Sequence, residues 1–139
     1  MSESDIRRRL DALMAEQPLL NNFGIGLYWR DESKPREERA RRLEELRQML
    51  RDNVEDVRWA VEWLTLNVEP IQTINQRHSS YGLKHLAEKF SPNGYLSNGV
   101  LIAAAMIVGY PFKVNPPNVM FGMSQRSIKE LSRAAARLR

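Results

Sequence analysis

Four cations near the C-terminus, Arg126, Lys129, Arg133 and Arg137, recur at spacings of three and four residues within SQRSIKELSRAAARLR. On a helix such spacing places them along one strip. Arginines and lysines at one-turn intervals can follow the phosphate oxygens of a nucleic acid, and each neutralised phosphate adds a salt-dependent increment to affinity through counterion release. The competing account is a solvated helix end whose cations complement the negative end of the helix dipole. Only Glu130 offers a counter-charge within this segment, which favours phosphate binding, and the last residue, Arg139, extends the strip.

A second cluster lies upstream in RHSSYGLKHLAEK, where Arg77, His78, Tyr81, Lys84 and Lys89 mix cations with a phenol ring. Those types suit contact with a nucleic-acid backbone and stacking on a base. His78 and His85 are two helical turns apart, whereas a helical zinc pair sits at i, i+4, so no metal site is expected. Ser79 and Ser80 read as helix caps, because no base and orienting carboxylate accompany them as nucleophiles would require. Gly24 and Gly26 lack the remaining residues of either nucleotide fingerprint. No catalytic residue and no cofactor are therefore expected, and the chain reads as a non-enzyme. Tyr28 and Trp29, in the apolar knot FGIGLYW, are candidate anchors for a protein partner.

Charge is distributed unevenly. The 139 residues carry a net charge of +4, but residues 52–70 hold one basic and five acidic groups, while residues 71–139 hold nine and two. One part of the surface should attract anions and the strip from Asp52 to Glu69 should not. Folding can also pack that acidic strip beside the basic part and neutralise it. The chain has no cysteine, which excludes disulfides and thiolate zinc sites and fits a reducing compartment. The N-terminus MSESDIRRRLDALMAE is charged and amphipathic rather than signal-like, so the expected location is cytoplasmic.

The element that must position these groups is YLSNGVLIAAAMIVG, residues 95–109. From Val100 to Val108 it is apolar on every face, which predicts burial. Nine uninterrupted apolar residues fall short of the roughly 18 needed to span a membrane. Ser97 predicts the helix start, and Gly109 before Tyr110-Pro111 predicts its stop. Around it, Ser4 opens a first helix carrying Ile6, Leu10, Leu13 and Met14. An ordered loop follows from Pro18 to Lys34. Ser33 and Pro35 start a charged helix with Ala40, Leu43, Leu46 and Leu50 on a narrow stripe and ion pairs such as Glu37 with Arg41 at helical spacing. A further helix from Asn53 carries Val54, Val57, Val61 and Leu64, with Trp59 and Trp63 one turn apart, and Pro70 closes it unless a kinked turn continues through Ile71 and Ile74. Ser79 or Ser80 starts a short helix to Phe90, and Ser124 caps the last one. Phe112 to Val114 and Val119 to Phe121 have the alternation of a small hairpin. The expected fold is an all-α single domain, residues 1–139, of five to six helices around a buried central helix, with room for a short β-hairpin near 112–121.

Three pieces of the chain, His-Ser-Ser-Tyr-Gly-Leu-Lys-His from His78, Tyr-Leu-Ser-Asn-Gly from Tyr95 and Pro-Asn-Val-Met-Phe from Pro117, form a pattern. Across residues 77–124 it resembles small uncharacterised proteins of bacterial plasmids and prophages. The resemblance implies a mobile-element setting, where DNA transactions and interference with host defence are common tasks, and it assigns no residue a role. The residues themselves point to a small non-enzymatic protein that binds nucleic acid, DNA or RNA, through a C-terminal basic surface. The alternative is a protein-interaction module, a helical subunit or inhibitor of a nucleoprotein complex.

Overall fold

The computed structural model describes residues 1–138, so the expected contribution of Arg139 lies outside the described residues. The Ser2 hydroxyl accepts from the Asp5 amide while the Asp5 carboxylate accepts from the Ser2 amide. This reciprocal cap starts α1 (Glu3–Glu16) one residue ahead of Ser4. Ile6, Leu10 and Met14 form its buried stripe. Strand β1 (Leu20–Asn21) then pairs antiparallel with β2 (Gly24–Ile25), and α2 (Trp29–Glu32) is a single turn. Next come α3 (Arg36–Asp52), α4 (Val54–Asn67), α5 (Ser80–Glu88) and α6 (Asn98–Val108). The chain ends with the antiparallel pair β3 (Phe112–Asn115) and β4 (Asn118–Phe121), and then α7 (Gln125–Ala136).

Seven helices and two small antiparallel sheets among the described residues correct the all-α expectation of five to six helices, although the fold is largely helical. The additions come from the stretch expected as an ordered loop. There Asn21 donates from Nδ2 to the Leu19 and Gly26 carbonyls and accepts the Phe23 amide at Oδ1, so one buried side chain templates the turn between β1 and β2. Such side-chain turns carry no periodic signal. The hairpin near 112–121 does form, with Phe112 opposite Phe121 and Asn115 opposite Asn118.

Helix α6 is the core element, packed against α4, α5 and α1 and flanked by both hairpins. Ser97 accepts the Val100 amide as its N-cap, and Gly109 takes the left-handed conformation (φ 105°) that ends it. Val100 to Ala105 are buried, but Met106, Ile107 and Val108 are only half-buried. The last turn therefore emerges from the core, which corrects the expectation of burial through Val108. In α4, Val57, Ala60 and Leu64 are fully buried, and Trp63 stacks on Trp59 at 5.9 Å and contacts Phe90 at 5.6 Å.

Helix α4 stops at Asn67, and residues 71–76 do not continue it. Instead the Ile71 and Asn75 amides donate to the Gly122 and Phe121 carbonyls, so this segment is drawn alongside β4. The stripe on α3 is narrower than expected, with Leu46 and Leu50 buried and Ala40 exposed. Among the described residues its ion pairs are Arg42 with Glu45, at helical i,i+3 spacing, and the more distant Arg42 with Asp31 and Arg51 with Glu44, rather than the expected Glu37 with Arg41. Among the described residues no helix is long and apolar enough to cross a membrane.

Candidate nucleic-acid interface and the cavity at the head of α6

Ser124 caps α7 by accepting the Ser127 amide, and Ile128, Leu131 and Ala135 fix which side of the helix faces inward. At 100° per residue, Arg126, Lys129, Arg133 and Arg137 then fall on the opposite side, and all four are exposed. Arg126 pairs with Glu130 at 3.3 Å, a solvated contact worth at most about 1 kcal/mol. Among the described residues no carboxylate lies within ion-pair distance of Lys129, Arg133 or Arg137. The acidic strip meets the start of α7, where Glu69 donates its amide to Ser127 Oγ and accepts the Ser124 amide at its carbonyl.

The upstream cluster divides between two places. Helix α5 packs against α7, and His78 Nε2 lies 2.9 Å from Gln125 Oε1, which anchors His78 at the junction. Arg77 and Lys89 are exposed. Tyr81 and Lys84 instead line a cavity of about 400 Å³ shared with the start of α6 and the β3–β4 loop. Lys84 is only 8% exposed, which corrects its expected place among the phosphate contacts. Its position falls on the same side of α5 as Ser80, Leu83 and Ala87, and helical amphipathicity carries it inward.

A buried ammonium requires a counter-charge. Glu88 Oε2 supplies one at 3.2 Å, and the rings of Tyr81 and Tyr95 lie 5.4 and 5.1 Å from Lys84 Nζ. Glu88 also accepts the Leu96 amide at 3.0 Å and approaches His85 Nδ1 at 3.0 Å. Burial pushes the Glu88 carboxyl up, but the Leu96 amide, Lys84 and His85 together outweigh it and hold it below the usual carboxylate range. Tyr81 meets His85 edge to face at 4.5 Å.

The cavity is built on asparagines. Asn98, the first residue of α6, donates from Nδ2 to Asn118 Oδ1 at 2.9 Å and to the Phe23 carbonyl at 3.1 Å. Its Oδ1 is buried without a hydrogen-bond partner among the described residues. Asn22 Oδ1 accepts from the Ser97 hydroxyl and from Asn53 Nδ2, and the Asn22 carbonyl accepts the Gly99 amide. Gly99 is required here, because a Cβ would lie 1.9 Å from the Asn21 carbonyl oxygen. Residues from all three pieces of the quoted pattern thus meet at one cavity: Tyr81 and Lys84, Tyr95 and Asn98, and Pro117 and Asn118. Sequence reasoning singled out Tyr81 and Lys84 as nucleic-acid contacts and did not single out Tyr95, Asn98 and Asn118, which line this cavity with them. Their signal was the recurrence of asparagine beside glycine and proline, which reads equally as turn chemistry.

Tyr28 and Trp29 occupy another face. Trp29 is 67% exposed, Tyr28 is 40% exposed, and their rings lie 5.6 Å apart. With Leu19 and Ile25 they line a mostly apolar cavity of about 490 Å³, and Arg30 sits over the Trp29 ring at 5.3 Å. Phe23 borders both cavities. Compared with protein-family profiles, with curated proteins and with solved structures, the chain matched none of them.

Proposed function

We propose that this is a non-enzymatic nucleic-acid-binding protein that holds the phosphates of DNA or RNA along the outer face of α7. One observation carries the reading: Arg126, Lys129, Arg133 and Arg137 are exposed opposite the buried stripe, and only Arg126 has a carboxylate at ion-pair distance among the described residues. A cation with no protein partner keeps its full capacity to replace condensed counterions on a phosphate backbone. A cytosolic setting and a mobile-element origin belong to the same reading, on the basis of the cysteine-free chain and the resemblance over residues 77–124.

The test is fluorescence anisotropy of labelled single- and double-stranded DNA and RNA over a salt series. Log affinity should fall linearly with log salt. Replacing all four cations with alanine, the best helix former, should weaken binding at least tenfold and lower the salt slope by up to about 4. A wild-type slope in that variant, or no binding at low salt, would remove α7 from the proposal.

Trp29 and Tyr28 support a second reading. A tryptophan two-thirds exposed beside an apolar cavity has the character of an interface anchor, which favours a protein-interaction module within a nucleoprotein complex. Association of that kind would survive salt and fail on Trp29→Ala.

A further inference from the structure

We propose that the cavity at the head of α6 is a binding site for a nucleobase, presented by a free nucleotide or by an unpaired position in a strand. The proposal goes beyond phosphate binding by α7 and stands on different residues.

Three features define the ligand. Tyr81 and Tyr95 are 53% and 58% exposed at the cavity, large rings whose surface the core leaves uncovered. Such rings are stacking platforms for a planar partner. Asn98 lines the same cavity, is more than nine-tenths buried, and has no partner for Oδ1 among the described residues. The orientation of its amide is set by the acceptors Asn118 Oδ1 and the Phe23 and Pro117 carbonyls around Nδ2, so what remains unsatisfied in the cavity wall is a buried acceptor, and a ligand bringing an N–H is its complement. The third feature is neutrality. Two amides in the first turn of α6 are already used, Gly99 by the Asn22 carbonyl and Val100 by Ser97 Oγ, and the Lys84 charge is met by Glu88. A free anion therefore finds less than the usual set of free amides at this helix start, in contrast to the usual phosphate site.

A planar, uncharged ring that carries N–H donors and offers a face for stacking is the description of a nucleobase. The cavity of about 400 Å³ falls within the usual range for small-molecule sites.

The experiment is a titration of the full chain, with side-chain amide and backbone resonances followed by NMR, using each of the four common nucleoside monophosphates. Inorganic phosphate and glucose serve as controls for an anion site and for a sugar stacked on tyrosine. The expected result is that at least one nucleotide shifts the Asn98 and Asn118 side-chain amides at millimolar concentration or below. Tyr81→Ala and Tyr95→Ala should each weaken that binding by roughly five- to hundredfold, and both residues are exposed enough for the fold to tolerate the change. The four-alanine variant of α7 should bind mononucleotides as the wild type does, which separates failure of this proposal from failure of the phosphate reading. A single-stranded oligonucleotide that shifts the same amides more strongly than its duplex would identify the strand as the source, and tighter binding of the mononucleotide would identify the free ligand. The proposal is overturned if no nucleotide moves these resonances, if phosphate or glucose alone does so, or if both tyrosine variants bind as wild type.

Discussion

Tyr110 shows what a single side chain settles in this fold. It is buried directly after the left-handed Gly109, and its hydroxyl donates to the Val68 carbonyl and approaches the Leu64 carbonyl, so the end of α6 closes the end of α4. Burial pushes its pKa up from 10.0 to about 12. The neutral form is therefore favoured in the folded state, and the stability this contributes is fully present below pH 10.0 and is lost as pH rises through about 12. Tyr110→Phe should cost about 1 to 2 kcal/mol at neutral pH, because the Val68 carbonyl loses its buried donor. Urea unfolding of both proteins from pH 8 to pH 12 checks this, and the gap between them should narrow across the alkaline end. A gap independent of pH would mean that Tyr110 titrates alike in both states. The caps Ser97, Ser124 and Gly109 were legible because they act on neighbours in sequence. Arg47 was not. It donates to the carbonyls of Met14, Gln17, Pro18 and Leu20, about thirty residues away, yet in sequence it is one cation among many on a charged helix.

Elements become legible when their pattern is periodic. Helix α4 carried two such signals, its valine stripe and its tryptophan pair, and it starts where they begin, although it stops at Asn67, short of the expected Pro70. The β1–β2 hairpin is too short for alternation and is held by Asn21 instead, and the head of α6 can dock on it only because position 99 is glycine. Two helical glycines therefore predict opposite signs. Gly99→Ala would place a Cβ 1.9 Å from the Asn21 carbonyl oxygen and 2.8 Å from the Asn22 Cα, backbone atoms that cannot yield without lifting α6 from the hairpin. We expect a loss of about 1 to 3 kcal/mol, despite the better helix propensity of alanine. In α5 nothing lies within 4 Å of a Cβ added at Gly82, so Gly82→Ala should stabilise by about 0.5 to 1 kcal/mol. Denaturation midpoints report both, and a Gly99→Ala protein as stable as the wild type would mean that α6 does not seat against β1 at that distance.

At the scale of the molecule, one continuous set of buried side chains runs from Ile6 in α1 through α4 and α6 to Leu131 in α7. The all-apolar stretch announced where that core would centre. What it could not announce is which polar residues would be folded against it, because the cavity joins residues from Asn22 to Asn118 that share no local pattern. With α6 touching α1, α4, α5 and both hairpins, no large part of the chain keeps its core when α6 leaves. Unfolding should therefore be a single cooperative transition, as is usual for domains under about 150 residues. Two probes separate the possibilities. Helical circular dichroism reports every helix, whereas tryptophan fluorescence, measured in a Trp29→Phe background, reports the stacked Trp59 and Trp63 beside Phe90. Coincident transitions are expected, displaced together by Gly99→Ala. A circular-dichroism transition that begins before the fluorescence change would mean that helices outside the tryptophan cluster melt independently, and α7, which carries the basic stripe, would then be the first to examine by amide hydrogen exchange.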